Sequence, residues 1–447
     1  MNRSTAWPIA VRSTDISGPL RALDGLENYS RVRVFISSGE DLIGSVDIWN
    51  RGAATVPVPR LIDAISKRYS PLLHERQVRA QLMLHEPPRP VLPPTTVSVI
   101  IPTYERPDDL RRCLASMVAQ RTPHQLDILV VDNNPSSSAA AEVVADFPLV
   151  RMISESRPGL SFARNTGIRH ALGEIIVATD DDVTAPETWI EKLVGPFVRP
   201  EVAAVNGHVL PAELETEAQC RFEAYGGLGK GFTAFEADGT WFRTRRDAVP
   251  TWGLGATANA AFRAAVFADP AVGLIDEALG AGTPTGCSED TYLFYKLLKA
   301  GHTIVYEPSA YVWHRHRATM DSLRRQIYAY SKGHVAYHLT TLMQDGDKRA
   351  LVRLFLSLPV AYLRRAVQRV RRHSDYPLSL IVLEVLGNFA GPLALWRSRR
   401  RARKLGRSAP IVQEHRNVVS VEGPVAQDSA LQPDVASVAR TPGGAGR

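Results

Sequence analysis

The sequence predicts an α/β protein built on a doubly wound, mostly parallel sheet, with a small β-containing segment before it and a helical region after it. Three observations lead there. Between Val97 and Asp182, short apolar runs rich in β-branched residues alternate with helical patterns, as expected of strands buried on both faces and joined by crossover helices. The stiff stretch PPRPVLPP (Pro87–Pro94) separates this part from what precedes it, since proline fits neither a sheet interior nor a helix interior. After about Tyr330 the pattern becomes helical and increasingly apolar, and arginine clusters interrupt it.

Taken in order, RVRVFISS (Arg31–Ser38) and LIGSVDIWN (Leu42–Asn50) predict a hairpin turning at Gly39, Glu40 and Asp41, and Val58–Leu84 predicts a helix. Strands are then predicted at Val97–Ile101, Leu126–Asn134, Val150–Glu155 and Glu174–Asp182, with helices at Asp108–Gln120, Ser137–Phe147 and Ser161–Ala171 between them. Four regions follow: residues 1–90 as an accessory α+β segment, 97–335 as the main domain, 336–407 as a basic helical region, and 408–447 as a tail with little to bury.

Composition bounds the function. With 447 residues, 45% hydrophobic and 22% charged, the chain has a sizeable core, which excludes collagen-like and wholly disordered classes. Cys113, Cys220 and Cys287 are too few and too far apart for a disulfide framework or a CxxC zinc site, and they fit a reducing compartment. MNRSTAWPIAVRSTD has no apolar core of the signal-peptide kind, so a cytoplasmic location is expected. The net charge of +7 is uneven: Arg349–Arg407 holds fourteen Lys/Arg against Asp375 and Glu384, leaving the rest net acidic. That pattern points to a local anionic partner and not to nucleic acid, because the clusters flank aliphatic helices without an aromatic platform.

Ligands of an open parallel sheet bind beyond the carboxyl ends of its strands. Those ends carry Pro102-Thr103-Tyr104-Glu105-Arg106, then Asp132-Asn133-Asn134, then Asp180-Asp181-Asp182. Three adjacent carboxylates repel one another and are best tolerated around a cation; hard oxygen ligands without cysteine suggest Mg²⁺ or Mn²⁺. A plain acidic turn leading to Pro186 and Trp189 is the alternative, weakened by Asp132 at the end of a neighbouring strand.

VSVIIPTYERP, VVDNN, RPGLSFARNTGIRHA, TDDDV, GATANAAFRAAVF, SEDTYLFYKLLKAG and YEPSAYVWHRHR, in this order from Val97 to Arg317, resemble family 2 glycosyltransferases, whose nucleotide-sugar-binding fold is called GT-A. The resemblance implies a metal-dependent, inverting transfer from a nucleotide-diphosphate sugar to an acceptor hydroxyl, in cell-surface glycan or glycolipid synthesis. It puts Pro102, Thr103, Tyr104, Glu105 and Asp132 at the base and ribose, and Arg164 near the nucleotide. Asp180 and Asp181 count with the nucleotide-sugar contacts, and Asp180 and Asp182 with the metal. The register within the triplet stays open by one. His314 would complete the metal shell, with His316 as its competitor. Of the acids Glu289 and Asp290, Asp290 is the expected catalytic base. Trp252, Gly253, Gly255 and Asn259 are expected on the acceptor side, with GGLGKGF (Gly226–Phe232) as a mobile loop over it. A nucleotidyltransferase of related fold would want a glycine-rich loop after the first strand, which PTYERPDDL lacks. A non-catalytic scaffold would be marked by loss of an acidic motif, and both are present.

Leu378–Trp396 is 19 residues long, contains Glu384, Gly387, Gly391 and Pro392, and runs into RSRRRARK. A spanning helix wants about 20 apolar residues without a buried charge. The expectation is therefore a segment lying on the cytoplasmic face of an anionic membrane, which suits a glycan or lipid-linked acceptor.

Overall fold

The computed structural model describes residues 7–82, 91–371 and 376–411. The expected Pro-rich separator up to residue 90, and the expected tail from 412 onward, lie outside these. Strands β1 (Ile9–Asp15), β2 (Arg31–Ser38) and β3 (Asp41–Trp49) form a small sheet, with β1 parallel to β2 and β2 antiparallel to β3. The hairpin is the expected one. Strand β1 is additional, because its full burial rests on Ile9 and Ala10 and the residues after Val11 are polar. Helix α1 (Val58–Gln81) covers β3, and Tyr69 Oη bonds both the Ser45 amide (2.8 Å) and its carbonyl (3.0 Å). Gly44 leaves room for that ring: a Cβ there would fall 2.0 Å from Tyr69 Oη.

The main sheet begins with β4 (Thr96–Thr103), α2 (Pro107–Val118), β5 (Gln125–Asp132), α3 (Ala139–Val144), β6 (Val150–Ser154), α4 (Leu160–His170) and β7 (Ile175–Thr179). These match the predicted alternation, and β4–β5, β5–β6 and β4–β7 are all parallel. The chain continues through β8 (Val183–Thr184), α5 (Trp189–Val194), β9 (Val202–Pro211), α6 (Glu217–Tyr225), β10 (Phe235–Ala237), α7 (Gly239–Arg243), β11 (Asn259–Arg263), α8 (Glu289–Lys299) and β12 (Thr303–His314). The nine-stranded order is β10–β12–β9–β11–β7–β4–β5–β6, with β8 on β12. The strand β11 runs antiparallel between β7 and β9, while β9 and β12 are parallel. Strand order reverses between β4 and β7, so a crevice opens at their carboxyl ends. Ile101, Val130 and Val177 pack on α2 and α5 on one face; Ile100, Val131 and Ile176 pack on α4 and α8 on the other.

The small sheet docks on this core. Phe35 meets Trp313 of β12 edge-on at 5.2 Å, and the Ile9 amide donates to the Leu214 carbonyl at 2.9 Å.

Helix α9 (Met320–Asp345) is followed by α10 (Arg349–Val352), a π turn at Arg353–Ser357, α11 (Leu358–Val370) and α12 (Leu378–Leu405). Helix α12 continues past Trp396 through the whole RSRRRARK cluster. Its glycines do not break it; they allow close approach to α9, since a Cβ on Gly387 would meet Ser331 Cβ at 2.7 Å and one on Gly391 would meet Val335 Cβ at 2.6 Å. Glu384 is buried but satisfied by Arg365 (2.8 Å) and Tyr376 (2.5 Å). Leu378–Leu405 is the one described helix long and apolar enough to cross a membrane.

Candidate active site

The end of β4 puts Pro102 and Thr103 inside the crevice wall, and the turn after it carries Tyr104, 54% exposed, and Glu105 in a left-handed conformation (φ 54°). Glu105 accepts from Asn134 Nδ2 at 2.8 Å, joining the turns after β4 and β5. Asp132, opposite Thr103 in the ladder, accepts the Asn134 amide at 2.9 Å. Asn133 ties the β5 turn to the start of α4, donating to the Glu155 and Arg157 carbonyls and accepting from the Gly159 amide at 2.8 Å.

The three aspartates after β7 have separate fates. Strand β7 ends at Thr179 and the chain turns at Asp181 and Asp182; Asp181 is buried in this turn, whereas Asp180 and Asp182 stay half-buried. Asp181 accepts from Thr103 Oγ1 (2.8 Å) and Arg106 Nη1 (3.2 Å), and burial pushes its carboxyl up to about 7. Both Asp181 oxygens thus already have partners inside the protein. Ligating atoms of Asp180, Asp182 and His314 all lie within 4.8 Å of one another. His316 is outside that group.

These residues suit a divalent cation. Asp182 Oδ2 accepts from Arg106 Nη1 at 2.7 Å, while its buried Oδ1 has no hydrogen-bond partner although His314 Nε2 lies 3.3 Å away. Burial also lowers the pKa of His314, against the pull of Asp182, which keeps its imidazole neutral as a ligand must be.

Arg164 links the two acidic motifs. Only 2% exposed, it donates to Asp180 Oδ1 at 2.7 Å and to Glu289 Oε1 at 2.9 Å. The sequence placed it near the nucleotide; the fold places its guanidinium between the carboxylates that border that space. Glu289 and Asp290 open α8. Burial raises the pKa of Glu289, with repulsion from Asp290 adding to the shift and Arg164 opposing it. Asp290 is half-buried and engages only Oδ1, with Thr291. Gly280 (φ 105°) allows the preceding loop to pass Glu289: a Cβ there would lie 2.6 Å from Ser161 Oγ.

The acceptor-side candidates do not gather. Asn259 is fully buried, its two Nδ2 hydrogens donated to the His208 and Ala310 carbonyls and its Oδ1 accepting from Trp189 Nε1. Gly255 (φ 149°) packs against Asn206. Gly253 lies exposed at the end of a 3-10 turn. Trp252 sits edge-on to His334 (4.8 Å) and beneath Arg353 (5.1 Å), in a cluster with α9. The Gly226–Phe232 loop is anchored, with Tyr306 Oη accepting the Lys230 amide (3.3 Å) and donating to the Gly231 carbonyl (2.9 Å). Cys113 and Cys220 are buried, and burial pushes the half-buried Cys287 thiol up to about 12; none is poised as a nucleophile.

Sequence reasoning missed Arg106, although its place directly after Tyr104-Glu105 at a strand end was a usable signal. It also missed Glu223 and Arg33, for which no local pattern exists.

Residues 98–268 match the family model described as Glycosyl transferase family 2. The pre-mycofactocin glycosyltransferase of Mycobacterium tuberculosis is 27% identical over 247 residues, 54% of this chain and 48% of that protein. A glucosyl-dolichyl phosphate glucuronosyltransferase of Haloferax volcanii is 32% identical over 120 residues, 26% of this chain and 38% of that protein. The chain thus spans about half the length, or less, of these relatives. Among solved structures, the mannosyltransferase PcManGT of Pyrobaculum calidifontis, in complex with GDP-Man and Mn²⁺, is similar at TM-score 0.41 and 20% identity, covering 77% of this chain and 86% of that one. The ordered strand-end motifs lie inside the matched region, and together with these relatives they support a family 2 glycosyltransferase.

Proposed function

We propose that the chain transfers a sugar from a nucleoside-diphosphate sugar to an acceptor hydroxyl by direct displacement, with inversion at the anomeric carbon. The observation that carries this reading is the meeting of Asp180, Asp182 and His314 at the crevice, coupled through Arg164 to the acidic start of α8. Pro102, Thr103, Tyr104, Glu105 and Asp132 would border the base and ribose. Asp180, Asp182 and His314 would hold Mn²⁺ or Mg²⁺, which when bound offsets the charge of the leaving diphosphate. As the acceptor oxygen bonds the anomeric carbon and the bond to diphosphate breaks, the acceptor proton passes to Asp290. Asp290 is favoured over Glu289 because Glu289 is already paired with Arg164, whereas Asp290 engages only Oδ1, with its neighbour Thr291, and leaves Oδ2 for an acceptor hydroxyl.

The acceptor in this reading is a glycan or lipid-linked sugar presented at an anionic membrane on the cytoplasmic side. Two observations support it. The similar Haloferax protein bears the name of a glucosyl-dolichyl phosphate glucuronosyltransferase. The outer side of α12 exposes Val382, Leu386, Phe389, Leu393 and Trp396, one stripe at helical spacing that runs on into Arg400 and Arg403. Its inner side is packed on α9, so the helix suits lying in an interface better than crossing it.

The test is turnover of UDP-, GDP- and dTDP-sugars by purified protein with Mn²⁺, with EDTA, and with Asp182→Asn. Mn²⁺-dependent turnover of one donor, abolished by EDTA and by Asp182→Asn, is expected. No binding or turnover of any donor overturns the reading, and full activity in EDTA overturns its metal dependence.

A further inference from the structure

His314 is the visible end of a hydrogen-bonded row. Its Nδ1 lies 3.1 Å from His316 Nδ1, His316 Nε2 lies 2.9 Å from Glu223 Oε1, and Glu223 Oε2 accepts from Arg33 Nη1 at 3.2 Å. Arg33 belongs to β2 of the small N-terminal sheet, where Asp47 also holds it through Nε (2.8 Å) and Nη2 (3.1 Å). His316 is 4% exposed, with its ring edge-on to Phe222 at 4.8 Å. Packing therefore fixes the ring plane, and only the proton positions remain to be assigned.

With both imidazoles neutral, the chemistry of the row permits one assignment. A carboxylate only accepts, so Glu223 requires the hydrogen on His316 Nε2. A neutral imidazole has one N–H, so His316 Nδ1 must accept, and the His314 Nδ1 beside it must donate. His314 Nε2 is then left with a bare lone pair, on the side where the buried Asp182 Oδ1 also has no hydrogen bond. Run in the opposite direction, the row would point an N–H at the cation position and leave Glu223 facing a second acceptor.

We infer that Glu223, held by Arg33, sets the tautomer and orientation of His314 for a divalent cation, making the N-terminal sheet a positioning element of the metal site. This rests on the metal reading proposed above. Outer partners of ligating histidines are commonly worth about 10–100-fold in metal affinity.

Two measurements on the full chain test it. In ¹⁵N-histidine NMR of the wild type in EDTA, His314 is expected as the Nδ1–H tautomer and His316 as the Nε2–H tautomer; His314 carrying its proton on Nε2 overturns the inference without any variant. In Mn²⁺ titrations without substrate, Glu223→Gln is expected to weaken binding about 10–100-fold, and Arg33→Gln by a smaller factor, with melting in EDTA confirming that both fold. Wild-type affinity in Glu223→Gln overturns the relay while leaving the metal reading intact. Wild-type affinity in Arg33→Gln overturns the part assigned to the N-terminal sheet. A wild type that binds no Mn²⁺ overturns both the relay and the metal reading.

Discussion

The crevice at the ends of β4 and β7 and the outer side of α11 and α12 both use arginine, in opposite ways. In the crevice each guanidinium is spent on carboxylates: Arg106 bridges Asp181 and Asp182, and Arg164 bridges Asp180 and Glu289. Their charge is neutralised on the spot and converted into geometry. Along the C-terminal helices, Arg364, Arg397 and Arg400 are exposed and have no carboxylate partner among the described residues, beside apolar side chains such as Phe389, which is 79% exposed. Their charge stays available to something outside the chain. Paired arginines build a site, whereas unpaired ones beside an apolar stripe address a surface.

The largest effect that would break this division lies at the start of α8. Asp290→Asn is expected to lower the chemical step about 10²–10⁴-fold with donor and Mn²⁺ affinity retained, as for removal of a positioned base. Glu289→Gln should be the milder change. Single-turnover rates with both variants decide it, and the reverse ranking would exchange their roles.

Arg164→Ala tests the claim that buried arginine here is structural. Removing one member of a buried ion pair costs about 3–5 kcal/mol, so the urea midpoint should fall sharply with the slope unchanged. A shift too small to measure would mean that water or a cation replaces the guanidinium.

On the outer side the effect should be electrostatic. Each surface arginine near anionic lipid contributes about 1 kcal/mol. Changing Arg397, Arg400 and Arg403 to Gln should therefore weaken sedimentation with phosphatidylserine vesicles about 100-fold and leave binding to neutral vesicles unchanged. Equal binding by variant and wild type would remove the membrane from the reading.

The smallest expected effect is on pH. Glu289 has its folded pKa raised from 4.5 to about 7, so the folded state holds a proton there that the unfolded state releases. Its contribution is fully present below pH 4.5 and is lost as pH rises through about 7, at no more than about 1.4 kcal/mol per pH unit. Denaturation in EDTA across that window, with Glu289→Gln flattening the slope, measures it.

Parts of the molecule differ in how readily they are read. Strands β4, β5 and β7 are buried on both faces, so their composition alone betrays them, and the acids at their ends are plain in the sequence. Strand β1 was not, because a strand with three apolar residues followed by four polar ones resembles loop. The partners of Asn259 were hidden for a related reason: Trp189, His208 and Ala310, which bond its amide, are all far away in sequence.

The chain alone determined the α/β alternation, the acidic strand ends, and the charge asymmetry of the C-terminal helices, since each is a matter of local pattern and period. Tertiary structure decided which two of three adjacent aspartates face the crevice, that Arg164 joins residues 180 and 289, and that a row from Arg33 reaches His314. Those outcomes depend on hydrogen bonds of about 3 Å that include pairs more than a hundred residues apart, such as Arg164 with Glu289 and Arg33 with Glu223, and only packing of the whole sheet brings such groups together.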